Sequence, residues 1–136
     1  MALEISSTLL ARLLNEAEKT PEYEVCGLLF GTPTQIVGAS RCRNVAPDPR
    51  SAFEVDPAAL IAAHKAARAG GPTIVGCYHS HPGGPAVPSA RDAAAAMPDG
   101  SIWLIMAARE AGFYRATENG TIEGRFVPVG HEAVEP

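Results

Sequence analysis

A chain of 136 residues is long enough for one compact domain to bury a core without disulfide support. With 46% hydrophobic residues and a formal net charge of −4, it is expected to be a soluble globular protein rather than a nucleic-acid binder with a basic face, and no Lys/Arg run suggests a polybasic membrane patch. Cys26, Cys42 and Cys77 are widely spaced, odd in number and without a CxxC pair, so they read as reduced, buried thiols of a cytoplasmic protein.

The N-terminal stretch carries Glu4 and no basic leader, and its apolar residues are spaced rather than continuous, unlike a signal peptide or a membrane span. Residues 3–19 predict an amphipathic helix: Leu3, Leu9, Leu10, Leu13, Leu14 and Ala17 fall mostly on one stripe, and Pro21 closes the segment. Val25 to Phe30 is a continuous apolar run ending at Gly31, as in a buried strand. Thr32-Pro33 turns the chain into a second strand, Gln35 to Arg43. Asn44 to Asp56, with Pro47 and Pro49, reads as an ordered loop of the kind that carries function.

Asp56 is placed to cap a helix with Pro57 in its first turn, and residues 57–69 form that Ala-rich helix up to Gly70-Gly71. Thr73 to His79 is β-branched and apolar, a central strand. A Pro/Gly loop covers His81 to Pro88; a short helix over 89–97 and a turn at Pro98-Asp99-Gly100 follow. Residues 102–107, 112–117 and 121–127 read as three antiparallel strands, with Asn119-Gly120 as the hairpin turn between the last two. His131 to Pro136 reads as a frayed tail. The sum is an α/β fold, a single domain over residues 1–136, with a mixed curved β-sheet flanked by helices.

Chemistry concentrates at His79-Ser80-His81. Alternate side chains of a strand share a face, so His79 and His81 project together and can share one zinc ion. An HxH pair alone is equally compatible with ordinary polar contacts. Ser89 and Asp92 are three residues apart on one helical face, which makes Asp92 a third ligand and leaves a fourth position for water. The same pair also has the spacing of a helix cap, and a cap would orient the ligand. A base must take a proton from that water, and Glu22 or Glu24, ahead of the Val25–Phe30 strand, is placed to do so; pattern alone does not separate the two. Cys77 shares the ligand face and is an alternative fourth ligand, although a buried thiol is the commoner outcome. Ser80 should face the other way. His64 reads as a surface residue, His131 as part of a solvated tail, and Trp103, Phe113 and Tyr114 as core.

The run His79-Ser80-His81-Pro82, six residues, then Ser89-Ala90-Arg91-Asp92 resembles the signature of the JAMM/MPN metallopeptidases. Glu24-Val25-Cys26-Gly27-Leu28-Leu29-Phe30-Gly31 resembles the glutamate segment of its bacterial members, and Asn44-Val45-Ala46-Pro47 and Phe53 to Pro57 resemble the stretch between. The resemblance runs from about residue 3 to about residue 127. It implies a fold similar to cytidine deaminases, although the PCxxC half of the deaminase signature is absent. It implies Zn2+ on His79, His81 and Asp92, Glu24 as general base and then acid, and Ser89 as hydrogen-bond donor to the developing oxyanion.

The activity so implied is hydrolysis of a peptide or isopeptide bond, after the C-terminal Gly-Gly tail of a ubiquitin-like or sulfur-carrier protein. The chain lacks room for the long insertions of larger ubiquitin-directed relatives. The loops 44–53 and 83–87 are expected to flank an extended tail laid along a sheet edge. No nucleic acid or membrane partner is expected. Two other readings compete: a catalytically silent MPN scaffold, which would usually have lost its ligands, and a cell-wall or phage-tail peptidase, which would carry a partner domain or an export signal.

Overall fold

The computed structural model describes residues 2–135. One eight-stranded sheet carries three helices. In chain order the elements are β1 (Leu3–Ser6), α1 (Ser7–Lys19), β2 (Cys26–Thr32), β3 (Gln35–Cys42), α2 (Pro57–Arg68), β4 (Ile74–Ser80), α3 (Ala90–Ala95), β5 (Ile102–Ala107), β6 (Glu110–Gly120), β7 (Gly124–Val129) and β8 (His131–Val134). The strand order is β7-β6-β5-β4-β2-β3-β1-β8. Its two edge strands, β7 and β8, are joined in the chain by Gly130 alone, so the sheet curls round on itself. The sheet is mixed: β4–β5, β1–β3 and β1–β8 are parallel and the other pairs antiparallel.

Period-two alternation divides the side chains between two cores. Ile102, Leu104 and Met106 of β5 join Tyr78, Leu29, Leu13 and Phe113 in a cluster against α1. Trp103 and Ile105 point the other way and pack with Tyr114, Phe126 and Ala96 beside α3. The fold class expected from the sequence is thus the one observed: α/β, with a curled mixed sheet flanked by helices. No helix among the described residues is long and apolar enough to cross a membrane.

Four local expectations fail. Residues 3–6 are a strand, not the first turn of α1. Leu3 and Ile5 alternate into the core at 1% and 0% exposure, and the Ser6 side chain caps α1 by accepting from Leu9 N–H at 3.0 Å. The supposed tail is also a strand. β8 pairs in parallel register with β1, Leu3 opposite His131 and Ser6 opposite Val134, and the His131 ring lies 4.5 Å from that of Phe113. Neither segment reveals its strand alone, because β1 is paired by β3 and β8, and β8 by β1, all distant in sequence. The last hairpin turns at Thr121–Glu123, with Glu123 at φ 53° and Gly124 at φ 69°, not at Asn119-Gly120. Gly120 serves close packing instead, since a Cβ there would lie 2.3 Å from Phe126 N. α3 is also shorter than expected, ending at Ala95.

Gly76 of β4 has no room for a side chain against β5, since a Cβ would sit 1.8 Å from the Ile102 carbonyl oxygen. Gly76→Ala is expected to destabilise the fold by about 3 kcal/mol through forced backbone displacement. Gly38→Ala, with nothing within 4 Å of its added Cβ, should cost little. Thermal unfolding of the two variants checks the contrast.

Candidate metal centre

The C-terminal end of β4 fixes the site. Ser80 faces away from His79, as strand alternation requires. Its hydroxyl accepts from Val25 N–H at 2.9 Å, and its own N–H donates to Val25 O at 3.0 Å. That clamp pins the start of β2 and, one residue earlier, Glu24. Glu24 N–H donates to Pro49 O at 2.8 Å, and Asn44 Nδ2 donates to Glu24 O at 2.9 Å and to Ala52 O at 3.0 Å. Asn44 Oδ1 in turn accepts from Ala46 N–H at 3.0 Å and Glu54 N–H at 3.1 Å. Every polar position of this amide is used, so Asn44 ties the 44–53 loop to Glu24. A lone Asn in a loop carries no such signal in the sequence.

Glu24, His79 and His81 each present a ligand atom within 4.8 Å of the others. Glu24 is buried and Glu22 exposed, which separates the two carboxylates that the pattern left open. Asp92 completes the cluster from α3. Its Oδ1 lies 3.1 Å from His79 Nε2 and its Oδ2 lies 3.2 Å from His81 Nε2, while the two Nε2 atoms are 3.0 Å apart. Asp92 is held by a reciprocal capping box: its Oδ2 accepts from Ser89 N–H at 2.9 Å, and Ser89 Oγ accepts from Asp92 N–H at 3.1 Å. The cap and the cluster therefore coexist in one carboxylate.

The donor chemistry fits a divalent cation. His81 Nδ1 lies 2.8 Å from Pro85 O, and a carbonyl only accepts, so the proton sits on Nδ1 and the Nε2 lone pair faces the cluster. That lone pair meets a second imidazole nitrogen and a carboxylate at hydrogen-bond distance, with too few protons to share. A cation among these atoms resolves the crowding. Glu24 Oε1 is buried without a hydrogen-bond partner among the described residues, and it is available to act beside the cluster.

The electrostatics follow the burial. Desolvation pushes the Glu24 carboxyl up to about 7, with Asp92 adding to the rise and His81 opposing it. Desolvation also holds His79 below its ordinary value, which favours the neutral imidazole. His81 loses to burial but gains more from Asp92, the Pro85 carbonyl and Glu24, and it lies above its ordinary value. Burial raises Asp92, yet the two imidazole rings that face it and the Ser89 N–H outweigh burial and hold the carboxyl well below the usual range.

Aromatic rings hold His79 in place. Phe53 stacks on it at 4.1 Å and 20°, and Trp103 meets it edge-on at 5.7 Å. Trp103 is core, as the sequence suggests, but it also walls the imidazole. Cys77 stands outside the cluster: it packs with the Trp103 group, and burial pushes its thiol up. Above the cluster lies a hollow of about 380 Å³. It is lined by Glu24, His81 and Ser89, by Arg50 and Ser51 of one loop, and by Gly84, Pro85 and Val87 of the other.

This architecture is that of the JAMM/MPN class of hydrolases. Residues 6–119 match the model of the family described as prokaryotic homologs of the JAB domain, and the chain belongs to that family. A desampylase of Haloferax volcanii is 36% identical over 107 residues, covering 77% of each chain. A Thermus thermophilus protein described as a "probable TtuB-protein conjugate cleaving protease" is 43% identical over 82 residues, 60% of this chain and 52% of its own length, so the chain spans about half of that relative. Among solved structures, a Desulfitobacterium hafniense protein superposes with a TM-score of 0.82 at 23% identity, covering 98% of this chain and 94% of its own. A JAB1/MPN domain protein of Archaeoglobus fulgidus superposes with a TM-score of 0.61 at 18% identity, covering 96% and 98%. These structural likenesses carry the fold.

Proposed function

We propose that the protein is a cytoplasmic zinc peptidase that hydrolyses the amide following the C-terminal Gly-Gly tail of a ubiquitin-like or sulfur-carrier protein. The observation that carries this reading is the convergence of two imidazole nitrogens and a capped carboxylate beside a buried, unpartnered glutamate oxygen. The names of the relatives, a desampylase and a protease for TtuB-protein conjugates, support the substrate class.

In this reading His79, His81 and Asp92 hold the zinc, which when bound supplies a Lewis acid and lowers the pKa of a coordinated water. Glu24 takes the proton of the attacking water, since an elevated pKa near neutrality suits a group that must accept and then release a proton. Water adds to the carbonyl carbon, the C–N bond breaks, and Glu24 delivers the proton to the departing amine. The products are a glycine carboxylate and a free amine. Ser89 Oγ accepts from the helix and keeps its own proton to donate toward the hollow, where the oxyanion develops. The loops 44–53 and 83–87 flank the tail.

Ser89→Ala is expected to lower kcat by about 10²-fold with a small change in KM, the signature of an interaction made in the transition state. Steady-state kinetics on a carrier fusion with a C-terminal extension checks it. The proposal as a whole fails if the zinc-loaded protein leaves every such fusion uncut.

A further inference from the structure

Glu24 lines two hollows. One is the cleft above the metal cluster. The other, about 340 Å³, is lined by Thr20, Tyr23, Glu24, Arg41, Arg43 and Pro49. Arg41 near the end of β3 and Arg43 just past it are two residues apart, and both line this hollow. Both are exposed, and neither makes a side-chain hydrogen bond or ion pair among the described residues. The neighbouring cations differ: Arg50 pairs with Asp48 at 3.1 Å, and Arg91 reaches Ser51 O at 3.3 Å. The chain carries a net charge of −4, so two unpaired guanidiniums beside the cleft do not reflect a generally basic surface. Tyr23 lines the same hollow, 46% exposed and one of few large apolar side chains left open to solvent. An exposed tyrosine next to unpaired arginines is the composition of a binding hot spot, and the guanidinium fork is matched to carboxylates.

A Gly-Gly tail has no side chains to read, so selection among tails must come from the folded body that carries them. We infer that the Tyr23–Arg41–Arg43 hollow docks a carboxylate-rich patch on the body of the carrier whose tail enters the cleft. The inference rests on the proposed function and adds how that substrate is chosen.

The test uses two Gly-Gly-tailed ubiquitin-fold fusions with identical tails, one with an acidic surface and one with those acids changed to amides. KM and kcat are measured for the parent and for the Arg41→Glu/Arg43→Glu double variant, and binding of both fusions is followed by fluorescence anisotropy. Losing two exposed charge contacts should raise KM for the acidic fusion about tenfold at low ionic strength, with kcat within about twofold. The gap should shrink below about threefold near 0.5 M salt, where exposed charges are screened. The parent should show the same KM rise on the amide fusion, and the double variant should lose no more by that change. Lys65→Glu on α2, away from both hollows, should leave KM unmoved. An active parent with KM indifferent to the arginines, to the amides and to salt overturns the inference. A parent that cuts neither fusion overturns the proposed function, and the anisotropy then decides docking by itself: salt-sensitive binding that needs both arginines supports it, and its absence refutes it. Should the double variant not fold, the acidic and amide fusions compared on the parent still give the answer.

Discussion

Zinc-loaded Glu24→Gln is expected to lose about 10²- to 10⁴-fold in kcat, the usual share of a positioned general base. The glutamine keeps the shape of the side chain and leaves the backbone ties to Pro49 and Asn44 intact, so metal content and fold should persist. In the metal-free protein the same change should stabilise. Burial raises the folded-state pKa of Glu24 from 4.5 to about 7, so the folded chain binds more protons than the unfolded one across that window. The contribution of Glu24 to stability therefore falls as pH rises from about 4.5 to 7 and is flat above it. At about 1.4 kcal/mol per pH unit the full penalty is about 3 kcal/mol. Urea unfolding of the two metal-free proteins at pH 5 and pH 8 should show a gap that widens with pH, with the variant the more stable. A gap between parent and variant that narrowed or stayed constant from pH 5 to pH 8 would contradict the burial argument.

Asp92→Asn is expected to weaken zinc binding by at least about 10²-fold, by analogy with the cost of disturbing even outer-shell partners. Asn retains an oxygen to accept from Ser89 N–H, so α3 keeps its cap and the metal-free fold should survive nearly unchanged. What is lost is the anion that faces both imidazoles, one oxygen to each. Competition against a chromophoric chelator measures the affinity, and thermal unfolding separates metal loss from fold loss. Cleavage should disappear at limiting zinc and return in part at high zinc. An unchanged affinity would remove Asp92 from the ligand set and leave Glu24, His79 and His81 to hold the ion.

Much of this centre was legible in the chain. Strand alternation places His79 and His81 together without any tertiary information, and Ser89 with Asp92 is a local device of one helical turn. The buried Glu24 was not separable from Glu22 by periodicity, because its environment comes from Ser80 and Asn44, distant in sequence. Phe53 and Trp103 were invisible as the walls of His79 for the same reason. In the fold, the long apolar runs marked the central strands well. The failures lie at the two ends of the chain, where β1 is held between β3 and β8, and β8 is paired by β1, all distant in sequence. Gly120 misled in a different way: Asn-Gly is the usual hairpin signal, yet here the glycine answers to the backbone of Phe126.

The most direct test is mass spectrometry of a C-terminally extended sulfur-carrier fusion incubated with the protein, with zinc, with chelator, and with zinc restored. The account predicts one cut, leaving a carrier that ends in Gly-Gly and an extension with a free amine, present with zinc, absent with chelator and regained on restoration. An intact fusion beside a protein that holds one zinc per chain, or a cut that survives complete chelation, would contradict it.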